Sequence, residues 1–274
     1  IPVLMPRLEP FPARRLPVVG MVHLPPLPGA PDYEEDMRAA LSRVAHDVEA
    51  LCTAGFDGVI VENYGDTPFH PEAVPPETIA AMTLCVDAAV RTVGERAVGV
   101  NVLRNDAGAA LGIAAVTGAA FIRINVHAGT MWTDQGAITG QAHRTLRERR
   151  ALGADVALLT DVHVKHAVPA PGREIEDAAR DLWERAGSDG LIVSGSGTGQ
   201  PTALDRVARV RAAVPSAPLW IGSGTSPESL DDLVRAGATG FIVGSWVQRD
   251  GTAGTGVDPD RARAFVGAVQ ARRG

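Results

Sequence analysis

The sequence predicts a (β/α)8 barrel, the TIM-barrel fold, of the phosphate-binding type. Eight short runs rich in Val, Ile and Leu recur along the chain, and segments of helical periodicity lie between most of them. Near-continuous apolar runs are typical of parallel strands that are covered on both faces. Eight strands and their crossover helices in about 250 residues fit a closed barrel. Gly/Ser turns follow the last three runs, where this fold commonly binds phosphate.

The predicted strands are these eight apolar runs, and the chain between consecutive runs is long enough for a crossover helix. The runs are 18–22, 58–62, 97–102, 120–126, 155–161, 190–194, 218–222 and 240–244. A doubly wound open sheet is the alternative fold. That fold usually carries a G-x-G-x-x-G motif near its first strand, and residues 20–29 contain none. The barrel is therefore preferred.

The predicted helices have apolar residues three and four positions apart and charged residues on the opposite face, the pattern of a helix that covers a sheet. They are 36–54, 77–93, 140–152, 174–186, 202–214, 228–236 and 259–272. Ser226 followed by Pro227 is a helix start signal, and Gly55, Gly187 and Gly237 are stop signals. An Ala-Gly-x-x-Gly joint recurs before three of the strands, which indicates a repeated helix-to-strand connection.

The first 16 residues include Pro2, Pro6, Pro10 and Pro12, which exclude a regular helix. We therefore expect an N-terminal arm or partial lid at 1–16 and a single barrel domain at 17–274. Cys52 and Cys85 lie apart in Ala-rich helical segments and are expected to be free thiols.

The composition argues against several classes of partner. With 26 Lys+Arg and 32 Asp+Glu the formal net charge is −6, which disfavours nucleic-acid binding. The uncharged stretch 107–122 is too short and too weakly apolar to span a bilayer. No secretion signal opens the sequence, so a cytoplasmic location is expected. A homo-oligomer is possible, because barrels commonly pair through helical faces.

Polar residues close the predicted strands at the carboxyl end of the barrel, here called the mouth, where barrel enzymes bind their ligands. Asp161, His163 and Lys165 alternate with apolar residues, so on an extended segment their side chains share one face. Together with Glu62 they are the candidate catalytic residues, for acid–base chemistry or for attack of Lys165 on a carbonyl. The structural alternative is a loop-capping carboxylate at Asp161 with the other two side chains solvated.

Six further residues are candidates for binding the substrate. They are His23, Asn101, Arg104, Arg123, Asn125 and Asp134. The amides could orient hydroxyl groups, and the arginines could bind anionic groups bidentately. For Arg123, a salt bridge to Glu62 or an outward position under the helices is the alternative. His23 equally suits a core or hinge role, and Asp134 lies in a long loop that could form a lid.

The Gly/Ser turns after the last three strands are the candidate phosphate site. Their residues are Ser194, Gly195, Ser196, Gly197, Gly222, Ser223, Gly224, Gly244 and Ser245. Bare backbone N–H groups at such turns, and a helix start at Ser226, suit a phosphate dianion. The alternative is that these glycines only provide tight turns with positive φ.

The sequence leaves the cofactor unknown. It has no nucleotide-cofactor motif, but Asp161, His163 and Glu62, with His23 as a further ligand, could hold a divalent metal. The expected partner is a phosphorylated small molecule.

Several phrases of the chain resemble the BtpA/SgcQ family. They are GMVHLPPLPG at 20–29, VENYGDTPF at 61–69, GVNVLRND at 99–106, FIRIN at 121–125, TDQG at 133–136, DVHVKH at 161–166 and SGSGTG at 194–199. The resemblance implies a phosphate-binding TIM barrel but assigns no catalytic residue. One named member is linked to photosystem I biogenesis, and another sits among sugar-uptake and sugar-metabolism genes.

Two functions are therefore carried forward. The first is an enzyme that acts on a small phosphorylated metabolite, a sugar or nucleotide-like phosphate, by isomerisation, lyase or glycosidic-cleavage chemistry. The alternative is a non-catalytic assembly or regulatory factor related to the biogenesis of a membrane complex. The polar mouth favours the enzyme, because a passive assembly surface does not need such side chains.

Overall fold

A computed structural model describes residues 7–11, 15–34 and 36–273 of the chain. Its strands are β1 (Val18–His23), β2 (Gly58–Glu62), β3 (Ala97–Asn101), β4 (Phe121–Ile124), β5 (Thr130–Thr133), β6 (Gly136–Thr139), β7 (Ala157–Asp161), β8 (Ala167–Pro169), β9 (Gly190–Val193), β10 (Leu219–Ile221) and β11 (Gly240–Val243). Eight of them close a parallel barrel in the order β1-β2-β3-β4-β7-β9-β10-β11, with β11 paired to β1. The predicted TIM barrel is confirmed.

Helices alternate with the barrel strands. They are α1 (Met37–Ala54), α2 (Pro76–Val93), α3 (Ala107–Thr117), α4 (Ala142–Leu152), α5 (Ile175–Arg180), α6 (Leu204–Ala213), α7 (Leu230–Ala236) and α8 (Pro259–Gln270). A π-helical segment, Asp181–Arg185, continues α5. Helical periodicity does not identify α3, because that helix has no charged residue to mark a polar face. None of the helices in the described ranges is both long and apolar enough to cross a membrane.

Apolar side chains fill two layers. One cluster lies between the helices and the outside of the sheet. The other fills the barrel interior with residues from alternate positions of the strands, among them Ile60, Phe121, Ile192 and Trp220. The barrel interior is therefore a packed core and not a channel.

Three short strands outside the barrel, β5, β6 and β8, form a small antiparallel sheet that the sequence analysis does not predict. β5 and β6 form a hairpin, and β8 pairs with the other edge of β5. Met131 and Ile138 from the hairpin pack on Val126 and Val164, which follow barrel strands β4 and β7. The long loop that carries Asp134 is thus a folded hairpin beside the mouth.

The described part of the N-terminal segment contacts the opposite end of the barrel. The ring of Phe11 packs against Phe121 and Trp220 with centroid separations of 5.7 and 5.3 Å. The N–H of Leu8 donates to the carboxylate of Asp189. Residues 7–11 therefore cover the amino ends of the strands, here called the floor. Pro2, Pro6 and Pro12 of the predicted arm lie outside the described residues. Cys52 and Cys85 are free, as predicted.

Candidate active site

One cavity at the mouth is lined both by Lys165, one of the predicted catalytic residues, and by the predicted anion-binding turns after β10 and β11. It has a volume of about 300 Å3 and is here called the mouth cavity. Its lining includes His23, Arg123 and Lys165, Thr198 and Gly199, the turns 222–226 and 244–246, and Arg261. A ligand held by the turns therefore lies beside the lysine.

Asp161, at the end of β7, is held by donors that lie on or directly after two other strands, β4 and β9. Arg123 forms two parallel hydrogen bonds to its carboxylate, Nε to Oδ2 at 2.8 Å and Nη2 to Oδ1 at 2.9 Å. Ser194 Oγ donates to Oδ1 at 3.2 Å, and Asn125 Nδ2 lies 3.4 Å from Oδ2. Both charges of the Arg123–Asp161 pair are buried. Arg123 therefore points inward and pairs with Asp161, which rules out the two alternatives, an outward position and a salt bridge to Glu62.

The two predicted amides extend this network across neighbouring strands. Asn101 Nδ2 donates to Asn125 Oδ1 at 3.0 Å and to the Arg123 carbonyl at 3.2 Å. Asn101 is 1% exposed, and its Oδ1 has no hydrogen-bond partner among the described residues. An unpartnered buried acceptor is costly, so this oxygen is suited to receive a hydrogen bond from a ligand.

His23 and Glu62 are register partners at the ends of β1 and β2. His23 Nδ1 accepts hydrogen bonds from Gln248 Nε2 at 2.7 Å and from the Gly254 N–H at 3.3 Å. These donors favour the neutral tautomer with its proton on Nε2, which lies 3.6 Å from Glu62 Oε1. Burial lowers the pKa of His23 and outweighs the opposing effect of Glu62. The ring also stacks on Tyr64 with centroids 4.4 Å apart.

Lys165 is the only lysine in the sequence, and every other residue of the 26 Lys+Arg is an arginine. Burial lowers the pKa of its amine to about 8, with Arg123 acting in the same direction and Glu62 opposing it. At this pKa about a tenth of the amine is unprotonated at pH 7, far more than for an ordinary lysine. An unprotonated amine can accept a proton or add to a carbonyl, whereas an arginine can do neither.

Arg104 follows β3 and is 5% exposed. Its Nη2 donates to the backbone carbonyl of Lys165 at 2.7 Å, so it links the loop after β3 to the loop after β7. Burial lowers its pKa, and Asp161 has the largest opposing effect.

The structure contradicts the expectation that the His163 side chain shares one face with Asp161 and Lys165. The φ of His163 is +53°, so the chain turns after β7 and the side chains of 161, 163 and 165 do not share the face of an extended segment. Its carbonyl accepts a hydrogen bond from Arg206 of α6. Burial lowers the pKa of His163 to about 4, with Arg206 and Arg173 next in effect. The side chain therefore faces the α5–α6 side of the barrel.

This placement also removes the proposed metal ligand set. Asp161 is committed to Arg123, and His163 is turned away from the mouth. Within the described ranges, no group of three or more His, Cys, Asp or Glu side chains is arranged to hold a metal ion.

The predicted phosphate turns divide into two groups. Gly222, Ser223, Gly224, Gly244 and Ser245 line the mouth cavity. In contrast, the turn after β9 is used internally. Ser194 Oγ binds Asp161, the Gly195 N–H donates to Ser223 Oγ, and the Ser196 carbonyl accepts from the His166 N–H. Ser194, Gly195, Ser196 and Gly197 are absent from the lining described for the cavity, and Thr198 and Gly199 take their place.

Asp134 lies at the exposed tip of the β5–β6 hairpin. Its carboxylate is close enough to raise the pKa of Arg104 and of His166, although burial lowers both. The hairpin tip is therefore beside the mouth, but Asp134 does not line the cavity.

Four residues of this site were not selected from the sequence. They are Tyr64, Thr225, Gln248 and Arg261. Thr225 is 2% exposed, and its Oγ1 has no partner within the described part of the chain. Its place in the predicted Gly/Ser turn is a signal that could have identified it. Gln248 and Arg261 lie beyond the last strand, where no strand-end rule applies.

The comparisons with known proteins agree on fold and family. A thiamine phosphate pyrophosphorylase from Pyrococcus furiosus superimposes with a TM-score of 0.60 at 11% identity, covering 94% of this chain and 98% of that one. A phosphoribosyl anthranilate isomerase from Thermus thermophilus gives a TM-score of 0.57 at 11% identity, covering 94% and 100%. At these identities the likeness shows the barrel fold alone.

Two sequence relatives are much closer. The photosystem I biogenesis protein BtpA of Synechocystis sp. is 44% identical over 253 residues, covering 92% of this chain and 88% of the relative. An uncharacterized protein of Thermococcus kodakarensis is 43% identical over 252 residues, covering 92% and 94%. The model of the BtpA family matches residues 14–271. The chain belongs to the BtpA family.

Proposed function

We propose that this protein is an enzyme that acts on a small phosphorylated metabolite at the mouth cavity, by isomerisation, lyase or glycosidic-cleavage chemistry. The observation that carries the proposal is that the single lysine and the glycine turn after β10 line one cavity. Structures of proteins named for phosphorylated compounds share the fold, which agrees with the proposal at the level of architecture.

The phosphate end of the site is assigned to the turns after β10 and β11. Thr225 Oγ1 is a buried hydroxyl without a partner among the described residues, and it lines the same cavity as Ser245 and Arg261. Hydroxyl groups, backbone N–H groups at glycine turns and a guanidinium are the donors that a phosphate dianion requires.

The reactive end is assigned to Lys165 with His23 and Glu62. The unprotonated lysine amine accepts a proton from the substrate or adds to its carbonyl carbon. The neutral His23 presents its Nε2–H beside the Glu62 carboxylate, so the pair can donate and accept a proton in turn. Asp161 acts indirectly, by holding Arg123 in the mouth.

Ligand stabilisation tests the phosphate assignment. Ribose 5-phosphate, glucose 6-phosphate and dihydroxyacetone phosphate should raise the unfolding temperature, and the unphosphorylated compounds should not. A ligand at one hundred times its Kd adds about 2.7 kcal/mol to stability. Thr225→Val should weaken this binding, whereas Thr92→Val, on the exposed side of α2, should leave it unchanged. Equal stabilisation by the unphosphorylated compounds would refute the assignment.

Chemistry at the single lysine tests the catalytic assignment. With a carbonyl substrate, borohydride should trap an adduct on the peptide that contains Lys165 if the amine adds to the carbonyl. If the amine only transfers protons, no adduct forms, but Lys165→Met should still abolish turnover while retaining phosphate-dependent binding. Full turnover by Lys165→Met would refute the role of the lysine. Phosphorylated ligands that bind but are never converted would instead favour the non-catalytic assembly factor.

A further inference from the structure

Arg104 is a buried cation without a carboxylate partner. The residue is 5% exposed, and no described carboxylate forms an ion pair with it. Within the described residues, the guanidinium donates one hydrogen bond, to the backbone carbonyl oxygen of Lys165. Burying a charge is costly unless an opposite charge compensates it, so this position is suited to an anion that comes with the ligand.

Among the described residues no carboxylate forms an ion pair with Arg104, although Asp161, Glu62 and Asp134 favour its charged form from a longer range. Asp161 is saturated by the two hydrogen bonds from Arg123 and by Ser194. Glu62 lies at the end of β2 beside the neutral His23.

Arg104 and the phosphate turn follow strands on opposite sides of the barrel. The eight strands follow the order β1-β2-β3-β4-β7-β9-β10-β11, so β3 and β10 are four positions apart and lie on opposite sides of the ring. Arg104 follows β3, and the turn 222–226 follows β10. Lys165 follows β7, between the two sides, and contacts Arg104 through its backbone.

We infer that the substrate carries two anionic groups, a phosphate in the turn 222–226 and a carboxylate at Arg104, with its reacting carbon between them beside Lys165. This inference rests on the proposed function and specifies the substrate class. Arg104 offers a planar fork, one edge of which already binds the Lys165 carbonyl, and a planar carboxylate matches the remaining donors. Asn101 Oδ1, at the end of the same strand, is available for a substrate hydroxyl. The substrate is thus a phosphorylated hydroxy or sugar acid.

Matched ligand pairs test the second anion. Glycerol 3-phosphate and 3-phosphoglycerate, erythritol 4-phosphate and 4-phosphoerythronate, and glucitol 6-phosphate and 6-phosphogluconate each differ by one terminal carboxylate. Calorimetry on the full chain should show the acid binding at least about tenfold more tightly at the chain length that fits the mouth. Arg104→Gln should remove this preference without weakening the alditol phosphate, and Arg104→Lys should retain part of it.

Two control variants separate the ends of the site. Thr225→Val should weaken both members of a pair equally, because it affects only the phosphate. Arg144→Gln, an exposed arginine of α4 paired with Glu148, should leave the preference unchanged.

Four results would overturn the inference. Equal affinity within every pair, or a preference that survives Arg104→Gln, would exclude the carboxylate site while leaving the proposed function intact. Tighter binding of glucitol 1,6-bisphosphate than of 6-phosphogluconate would show that the second anionic group is a phosphate and not a carboxylate. Failure of every phosphorylated compound to bind would refute the proposed function and this inference with it.

Discussion

The carboxylate of Asp161 accepts two hydrogen bonds from Arg123 and one from Ser194 in a site closed to solvent. We predict that Asp161→Asn lowers the free energy of unfolding by about 3–5 kcal/mol, because it leaves the Arg123 charge buried without its partner. Urea denaturation measures the loss. Glu148→Gln breaks an exposed ion pair with Arg144 and should cost less than about 1 kcal/mol.

The double variant Asp161→Leu with Arg123→Met separates this explanation from a general packing defect. Removal of both charges should restore much of the stability that Asp161→Asn loses. If Asp161→Asn is as stable as the original protein, the carboxylate is not the structural anion that its contacts indicate.

Lys165 should titrate with a pKa of about 8, well below the ordinary lysine value of 10.5. Between pH 8 and pH 10.5 the unfolded chain binds a proton that the folded protein does not. The contribution of Lys165 to stability therefore rises with pH across that window. Below pH 8 both states are protonated, and burial of the charge costs the folded protein its full penalty.

Carbon-13 methylation of the single lysine followed by an NMR titration measures this pKa directly. The difference in unfolding free energy between the original protein and Lys165→Met should grow in favour of the original as pH rises from 8 to 10.5. A bound anion should raise the pKa, because a nearby negative charge favours the ammonium form. A midpoint near 10.5 in the free protein would contradict the burial that the structure assigns to the amine.

Among the elements of the fold, the turn after β10 depends most directly on a glycine. Gly224 has a φ of +63°, and a Cβ at this position would collide with the backbone carbonyl oxygen of Gln200. We predict that Gly224→Ala displaces the turn and weakens the binding of phosphorylated ligands. Calorimetric titration measures that affinity, and urea denaturation measures the accompanying loss of stability.

Gly118→Ala is the matched control for this turn. Gly118 also has positive φ, at +81°, but a Cβ there meets nothing within 4 Å. Gly118→Ala should therefore lose only about 1 kcal/mol of stability, from the strain of an alanine at positive φ, and should bind ligands normally. Equal loss of binding in both variants would indicate a general effect on the barrel instead of a local one on the turn.

At the scale of the whole molecule, the two ends of the barrel differ in the side chains that they carry. Polar side chains gather at the mouth, while Phe11 covers the floor against Phe121 and Trp220. We propose that the role of residues 7–11, within the predicted N-terminal arm, is to close the floor of the barrel domain 17–274. Phe11→Ala should lower the free energy of unfolding by about 1–3 kcal/mol, since Phe11 is only partly buried.

Ligand binding should not change in Phe11→Ala, because the floor and the mouth lie at opposite ends of a packed interior. Chemical denaturation and calorimetry together check the two halves of this prediction. Loss of phosphate binding without loss of stability would show that the arm acts on the mouth.

Much of the fold could be predicted from local patterns in the sequence. Apolar runs identify the strands because parallel strands are buried on both faces, and helical periodicity identifies helices with one solvated face. The same rules miss α3, which has no charged face, and the β5–β6 hairpin, whose apolar residues pack only on the chain after β4 and β7. These segments depend on what covers them, which no local pattern records.

The candidate site shows the same division. By itself the sequence determined that polar residues end the strands of a barrel and that glycine turns follow the last ones, since both are properties of neighbours along the chain. Only the tertiary structure decided that Arg123 pairs with Asp161, that His163 turns away and that Gln248 orients His23. Those outcomes depend on contacts between side chains that are far apart in sequence, and burial, which follows from those contacts, sets the pKa of Lys165.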